Sequence, residues 1–378
     1  MKIVCDDRIP FLKGVLEPYA EVVYKPGAMT TCEDVRNADA LITRTRTMCG
    51  SELLAGSKVK LIATATIGFD HIDTEWCASH GVDWVNAPGC NSSSVRQYVA
   101  SALCEISRRF SLDLSGKKLG VVGAGNVGSK VIGLGHLLGM EVLVCDPIRA
   151  TAEESGGYVS IDRICECCDV VTVHVPLVKD GQWPTMHLFD AKRLGSLKNG
   201  AVLINSSRGA VVDNMALLKE LESGRIRAVL DVWENEPRVC RELLGLCSIA
   251  TPHIAGYSAD GKAMGTAMAV RAISRYFGLP LNYWYPDLVP APQTGLEIMM
   301  DTEGRDCQWV LGQALLKTYD IMSDDALLRE NPEGFEFQRG HYPIRREPSA
   351  YTVCLSLNVA GAAEVLKNAG FGKVVIQG

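Results

Sequence analysis

The stretch from Lys118 to Asp146 constrains this chain more than any other. Leu119 to Val122 is a short apolar run, too short for a helix and rich in β-branched residues. It predicts a strand buried on both faces. Gly123-Ala124-Gly125-Asn126-Val127-Gly128 follows at once and fits G-x-G-x-x-G. Ser129 to Gly139 predicts a helix, and Glu141 to Cys145 a second strand that ends on Asp146. Strand, glycine loop, helix, strand and acid in this order form the dinucleotide-binding fingerprint. Gly123 would allow the tight turn. Gly125 would let the backbone approach a pyrophosphate, and Gly128 would let the helix pack close. The pyrophosphate would meet the helix N-terminus, where N–H groups and the dipole favour negative charge. Asp146, 18 positions past Gly128, would accept from the adenosine ribose hydroxyls and repel a 2′-phosphate. This favours NAD over NADP, with Arg149 close by as a counterweight. The plainer alternative is a glycine-rich turn that binds nothing.

A chain of 378 residues exceeds one core and suggests two or three domains. Its net charge of −6 offers no basic surplus for nucleic acid. No apolar run approaches the roughly 20 residues of a membrane span. Met1 leads directly into a strand, so no signal peptide is expected, and the 14 cysteines are expected to be reduced, cytoplasmic thiols. Cys165, Cys167 and Cys168 suggest a metal at first sight. They lack a second ligand pair at metal spacing, so buried thiols and no metal are expected.

Residues 1 to 90 alternate short strands (Lys2 to Cys5, Glu21 to Tyr24, Ala40 to Thr43, Leu61 to Ala65, Trp84 to Asn86) with short helices, which predicts a mainly parallel sheet. A long helix follows from Asn91 or Ser92 to Phe110, with Val95, Tyr98, Val99, Ala102, Leu103 and Ile106 on one stripe. Arg96 lies off that stripe and is expected to face solvent or a partner. Later strands are expected at Val170 to Val175, Ala201 to Asn205, Val229 to Val232 and Cys247 to Ala250. Helices are expected at Asn214 to Glu222, capped by Asp213, and at Gly261 to Phe277. From about 293 the pattern changes to a helix at Gln308 to Tyr319, a disordered-looking middle, strands at Tyr351 to Leu355 and Lys373 to Ile376, and a helix at Asn358 to Asn368 between them. The expected organisation is a substrate-binding unit of residues 1–93 and 257–280, a nucleotide-binding domain of 94–256 and a C-terminal domain of 281–378.

Arg208, Glu236 and His253 each stand just after an expected strand, where an open α/β sheet gathers ligands. Hydride transfer from a hydroxy acid needs these three types. An imidazole takes the hydroxyl proton. A carboxylate holds the other ring nitrogen and fixes the tautomer. A guanidinium grips the substrate carboxylate with two prongs. Singly, each of the three is more often structural. Asp231 also reads as a strand-end residue capping a loop.

Taken together, Ser207-Arg208-Gly209 with Asp213, Asp231-Val232-Trp233 with Glu236-Pro237, and Thr251-Pro252-His253-Ile254-Ala255-Gly256 resemble the signatures of the D-isomer-specific 2-hydroxyacid dehydrogenases. The resemblance covers about residues 1 to 280. It implies a Rossmann-type NAD domain inserted in a smaller flavodoxin-like α/β lid domain, with a small C-terminal α+β domain added. It implies Arg208, Glu236 and His253 as the catalytic set. Besides the glycine loop with Asn126 and Val127, it implies Asp146, Val175, Pro176, Ser206, Ser207, Arg208, Asp231 and Gly256 at the NAD site. Thr45, Thr66, Ile67, Gly68 and Tyr257 would touch substrate. Val175 has a competing reading as a strand core residue.

Within the family, Thr64 to His71, Ala87 to Asn91, Cys145-Asp146-Pro147 and Pro252 to Tyr257 resemble a member that acts on a small phosphorylated hydroxy acid. Its C-terminal extension makes a homodimer. A phosphate calls for cations, and the candidates are Arg44 with Arg46, and Arg345 with Arg346. Other readings stay open: a dehydrogenase of the phosphoglycerate or glyoxylate type, or an NAD-sensing binding protein. No membrane or nucleic-acid partner is expected.

Overall fold

The alternation of short apolar strands and helices produces parallel sheets throughout. In the computed structural model, described over residues 1–153 and 156–377, the chain divides into two units. One is Met1–Asn91 with Ser258–Pro290, and the other is Ser92–Tyr257 with Ala291–Gly378.

The first unit has five parallel strands, β1 (Lys2–Asp6), β2 (Glu21–Lys25), β3 (Ala40–Thr43), β4 (Leu61–Thr64) and β5 (Asp83–Val85), in the order β2-β1-β3-β4-β5. This is the flavodoxin-like order, with its switch point between β1 and β3. The helix Ala259–Phe277 returns to cover one face, setting Ala269, Val270 and Ile273 against Ile3, Ile42 and Leu61. Ser258 caps it, its side chain accepting from the Gly261 N–H. Gly265 is required there. A Cβ would stand 2.4 Å from the Ala65 carbonyl oxygen.

The second unit holds β6 (Lys118–Val122), β7 (Glu141–Cys145), β8 (Val170–Val173), β9 (Val202–Asn205), β10 (Arg227–Leu230) and β11 (Ile249–Ala250), ordered β11-β10-β9-β8-β6-β7. All pairs are parallel. β6 and β8 to β10 are buried almost throughout, as near-continuous apolar strands covered on both faces should be. Cys165 and Cys168 pack in the same apolar core as Val171 and Leu203. Burial pushes their thiols up, Cys168 to about 12.

The C-terminal segment differs from expectation in three ways. It has a third strand, β12 (Glu297–Met300), beside β13 (Thr352–Leu355) and β14 (Lys373–Ile376), and all three run parallel. It is therefore built in the βαβ manner rather than as α+β. β12 was missed because two of its four residues are exposed and the other two are Ile298 and Met300, too weak a pattern to read alone. The middle that reads as disordered contains the helices Ile321–Glu330 and Phe335–Gly340, and Phe335 is fully buried. Finally, the segment shares a core with the nucleotide-binding sheet. Leu311, Val353 and Leu366 belong to the same apolar cluster as Leu119, Val121 and Val229.

The helix Ser92–Phe110 is the shared element, buried along most of its length. Several of its polar side chains bond the C-terminal segment. Ser101 Oγ donates to the Tyr319 carbonyl at 2.9 Å, and Gln97 Nε2 to that of Arg346 at 2.9 Å. Arg96 donates to the Ala369 carbonyl at 3.0 Å, which corrects the expectation of a solvent-facing residue.

Candidate active site

In a parallel sheet every strand delivers its following loop to the same edge. The order β7-β6-β8-β9-β10-β11 therefore lines up, along one carboxyl edge, Asp146, the glycine loop, His174 with Val175, Arg208, Glu236 and His253. Arg208, Glu236 and His253 follow three adjacent strands.

The glycine loop meets the requirements of a pyrophosphate. Gly123 has φ +89°, and a Cβ there would lie 2.5 Å from the His174 carbonyl oxygen. At Gly128, where the helix Gly128–Leu137 begins, a Cβ would lie 1.8 Å from the Gly123 oxygen. Gly128 therefore closes the loop on itself. At Gly125 a Cβ would meet nothing within 4 Å, so the space over that backbone is open. Asp146 accepts from the Ala124 N–H at 2.9 Å and the Arg149 N–H at 3.0 Å, which fixes its carboxylate beside the loop. Arg149 itself pairs with Glu153. Ser206 Oγ is buried without a hydrogen-bond partner among the described residues, a polar atom that a bound ligand would satisfy. These features fit NAD. When bound, it would rest on the glycine loop and the carboxylate of Asp146. Val175 is half-buried and packs on the loop, its Cγ1 2.9 Å from where a Gly123 Cβ would be.

His253 Nδ1 and Glu236 Oε2 are 2.7 Å apart. The second Glu236 oxygen accepts from the Trp233 N–H at 2.8 Å. Burial alone would raise this carboxyl. The hydrogen bond and charge of His253, the Trp233 N–H and the charge of Arg339 outweigh it and hold the pKa below the usual range. Arg208 is half-buried, and its Nη1 donates to the Ser207 carbonyl at 2.9 Å. Its segment is seated by Gly209, where a Cβ would fall 2.1 Å from the Trp233 carbonyl. That contact brings the loop after β9 against the one that carries Glu236.

Asp231 is fully buried, and its carboxylate takes bonds from Thr251 Oγ1 at 2.7 Å, the Ile254 N–H at 2.8 Å and the Ala255 N–H at 2.9 Å. The side chain caps the histidine loop, which is the plainer of its two expected readings. Arg345 is corrected. It is 5 % exposed, donates to the carbonyls of Ile254 and Ala255, and lies 4.3 Å over the Tyr319 ring, so its guanidinium is committed inside the unit and not available to phosphate.

The other expected substrate residues lie in the first unit, after β3 and β4, which are neighbours. Arg44 is half-buried, and Thr45 and Arg46 are exposed. Thr66 Oγ1 bonds Thr64 Oγ1 at 2.8 Å and the Gly68 carbonyl at 3.0 Å, which shapes the turn through Ile67. Tyr257, in the second unit, packs edge-on to Tyr342 at 5.8 Å, with the Arg339 guanidinium 5.7 Å from its ring. Nothing local in the sequence points to Arg339. Only packing brings it near Glu236 and Tyr257.

Comparison with known proteins agrees with this arrangement. Residues 92–255 match the family model for the D-isomer specific 2-hydroxyacid dehydrogenase NAD binding domain, and residues 290–370 match a model described as a domain of unknown function. The chain is 47% identical to an erythronate-4-phosphate dehydrogenase of Bacteroides fragilis, over 94% of this chain and 100% of that one. It is 42% identical to another from Pseudomonas entomophila, over 98% of each. Among solved structures, it is similar to a D-lactate dehydrogenase of Aquifex aeolicus complexed with NAD and lactic acid, at a TM-score of 0.60 and 25% identity, over 74% of this chain and 96% of that one. It shares its fold with the TT0316 protein of Thermus thermophilus, at a TM-score of 0.63 and 24% identity, over 76% of this chain and 100% of that one. Identity of this order along nearly its whole length means that the chain belongs to the D-isomer-specific 2-hydroxyacid dehydrogenases, as an NAD-dependent dehydrogenase.

Proposed function

We propose that the chain oxidises 4-phospho-D-erythronate to 3-hydroxy-2-oxo-4-phosphobutanoate, a step in pyridoxal 5′-phosphate biosynthesis. The observation that carries this reading is the 47% identity to an erythronate-4-phosphate dehydrogenase over 94% of the chain. NAD, when bound, supplies the acceptor for the hydride from the carbinol carbon. His253 takes the hydroxyl proton on Nε2, because Nδ1 is engaged by Glu236. Glu236, held ionised, orients the ring and stabilises the imidazolium that forms. Arg208 grips the substrate carboxylate and polarises the developing carbonyl.

Arg44 and Arg46 take the phosphate in this reading, with Thr45 and Thr66 beside them. What supports them is their placement after neighbouring strands of the first unit and the partial exposure of all but the buried strand ends. The C-terminal segment pairs two copies of the chain. It carries exposed apolar side chains suited to such a contact, including Met299, Phe337 and Leu357. The cytoplasm is the proposed location, supported by 14 cysteines that are all free thiols, most of them buried. Among the described residues no helix is long and apolar enough to cross a membrane.

The test is NADH formation, followed by absorbance, with 4-phosphoerythronate against phosphoglycerate, glycerate and lactate. Preferred turnover of 4-phosphoerythronate is the expected result. Preference for another acid would overturn the substrate. NAD binding without turnover of any of them would favour a sensor.

A further inference from the structure

We propose that the C-terminal segment has a part in catalysis through Arg345, a positioning residue that clamps the loop carrying His253. This rests on the reading of His253 as the proton-transfer residue.

The loop Thr251–Ala255 leaves a strand of only two residues, so the sheet holds little of it. His253 sits in it at φ +56°, a left-handed conformation that a residue with a Cβ keeps only where its surroundings over-determine it. Those surroundings act from two sides. The Asp231 carbonyl takes the His253 N–H at 2.7 Å, and the Asp231 carboxylate takes the N–H groups of Ile254 and Ala255. From the other side, Arg345 Nη2 donates to the Ile254 carbonyl at 3.2 Å and the Ala255 carbonyl at 2.6 Å. The two residues after the histidine therefore lie between a buried anion at their N–H groups and a buried cation at their carbonyls. The peptide between Ile254 and Ala255 meets both charges, its carbonyl on Arg345 and its N–H on Asp231.

A guanidinium this deep is expensive to bury. A long apolar side chain would fill the same space at less cost, so packing alone does not account for it. Its surroundings are built to hold it. It lies 4.3 Å over the Tyr319 ring and 5.7 Å from that of Tyr342. Both tyrosine hydroxyls donate to Asp324 at 2.7 Å, which fixes the rings around the cation. Asp324 and Asp231 supply the balancing negative charge.

Arg329 is a natural control. It comes from the same segment and also grips carbonyls, those of Leu244 at 2.7 Å and Cys247 at 2.8 Å, and through Asp325 it reaches the Ala250 N–H of β11, but it makes no bond to the histidine loop itself among the described contacts.

The experiment compares Arg345→Met, Arg345→Lys, Arg329→Met and His253→Ala in the full chain. It measures kcat and KM for 4-phosphoerythronate, NADH affinity by fluorescence, and Tm. Misplacement of a catalytic group by about an ångström costs up to about a hundredfold, so Arg345→Met should lower kcat by about tenfold or more. KM and NADH affinity should hold. Arg345→Lys keeps the charge and should recover part of the lost turnover. Arg329→Met should lower Tm and leave kcat intact. A folded Arg345→Met with wild-type kcat, whatever its Tm, would overturn the clamp. If that variant does not fold, Arg345→Gln, which removes the charge, decides, and wild-type kcat there overturns it equally. Activity surviving in His253→Ala would bring down the underlying reading and the clamp with it. An inert His253→Ala beside fully active Arg345 variants would bring down the clamp alone.

Discussion

The two units present their functional loops at the same kind of place, the carboxyl edge of a parallel sheet, yet build them in opposite ways. After β3, Thr45 and Arg46 are exposed. After β4 the Thr66 side chain bonds only two residues away, to Thr64 and Gly68, while its carbonyl takes the Ala87 N–H. After β11 the loop is largely buried and held by distant partners: Asp231, Tyr98 through Thr251, and Arg345 some ninety positions away. The contrast fits the roles proposed for the two loops. Proton transfer needs one fixed position for one imidazole. Recognition of a charged group needs cations that stay hydrated until it arrives. The buried Arg345 has its Nη2 already bonded to the Ile254 and Ala255 carbonyls.

The sharpest way to break this division is at the rigid edge. His253→Ala should lower turnover by about a hundredfold or more and leave NAD affinity nearly intact. Single-turnover kinetics with a parallel binding titration would show it, and unchanged turnover would remove His253 from proton transfer.

The open edge should respond in the other parameter. Hydrogen bonds to charged groups are worth about 1.5–3 kcal/mol each, so Arg44→Gln with Arg46→Gln should raise KM by about a hundredfold or more. Turnover at saturation should stay near wild type, and Tm should hardly move. An unaltered KM would place the phosphate elsewhere.

Two glycines divide the cofactor edge in the same manner. Gly128→Ala forces a Cβ onto the Gly123 carbonyl and should cost about 1–3 kcal/mol of stability, seen as a lower Tm. Gly125→Ala places its methyl in open space and should leave Tm alone while weakening NADH binding. Equal NADH affinity in Gly125→Ala would mean that the pyrophosphate does not cross that backbone.

The smallest effect concerns pH. His174 follows β8, and burial pushes its pKa from an ordinary 6.5 down to about 3. Between those values the unfolded chain binds a proton that the folded chain refuses, so stability falls as pH drops from 6.5 toward 3. His174→Gln should remove that part of the acid sensitivity. Melting curves at about pH 7 and about pH 5 would check it, and an identical Tm difference in the two proteins would contradict the assignment.

Much of this was legible in the sequence, because the signals were local. The glycine fingerprint specifies a strand, a turn and a helix over a few positions, and the structure forms them at Lys118–Val122 and Gly128–Leu137. Arg208, Glu236 and His253 could be singled out as candidates because each follows its own apolar strand, and strand ends of a parallel sheet meet at one edge. The five strands of the first unit, and the helix capped by Asp213, were readable on the same ground. In the C-terminal segment the helix Cys307–Thr318, the strands Thr352–Leu355 and Lys373–Ile376 and the helix Ala362–Asn368 were readable too, but the rest was not. Its strand Glu297–Met300 is half exposed, and its helices after Ile321 bury few residues each, so no period stands out.

What the sequence determined by itself, then, is where strands, turns and chemistry-bearing side chains occur, since those follow from residues within a turn or two of each other. What only the tertiary structure decided is the environment of each charge. Arg345 and Arg46 are alike on paper, as arginines beside arginines or near them. Folding buried one against carbonyls and aromatic rings and left the other exposed. Folding also set the Asp231 carboxylate against the N–H groups of Ile254 and Ala255, more than twenty positions away. Desolvation and long-range hydrogen bonding depend on which distant segments pack together, and no local pattern carries that information.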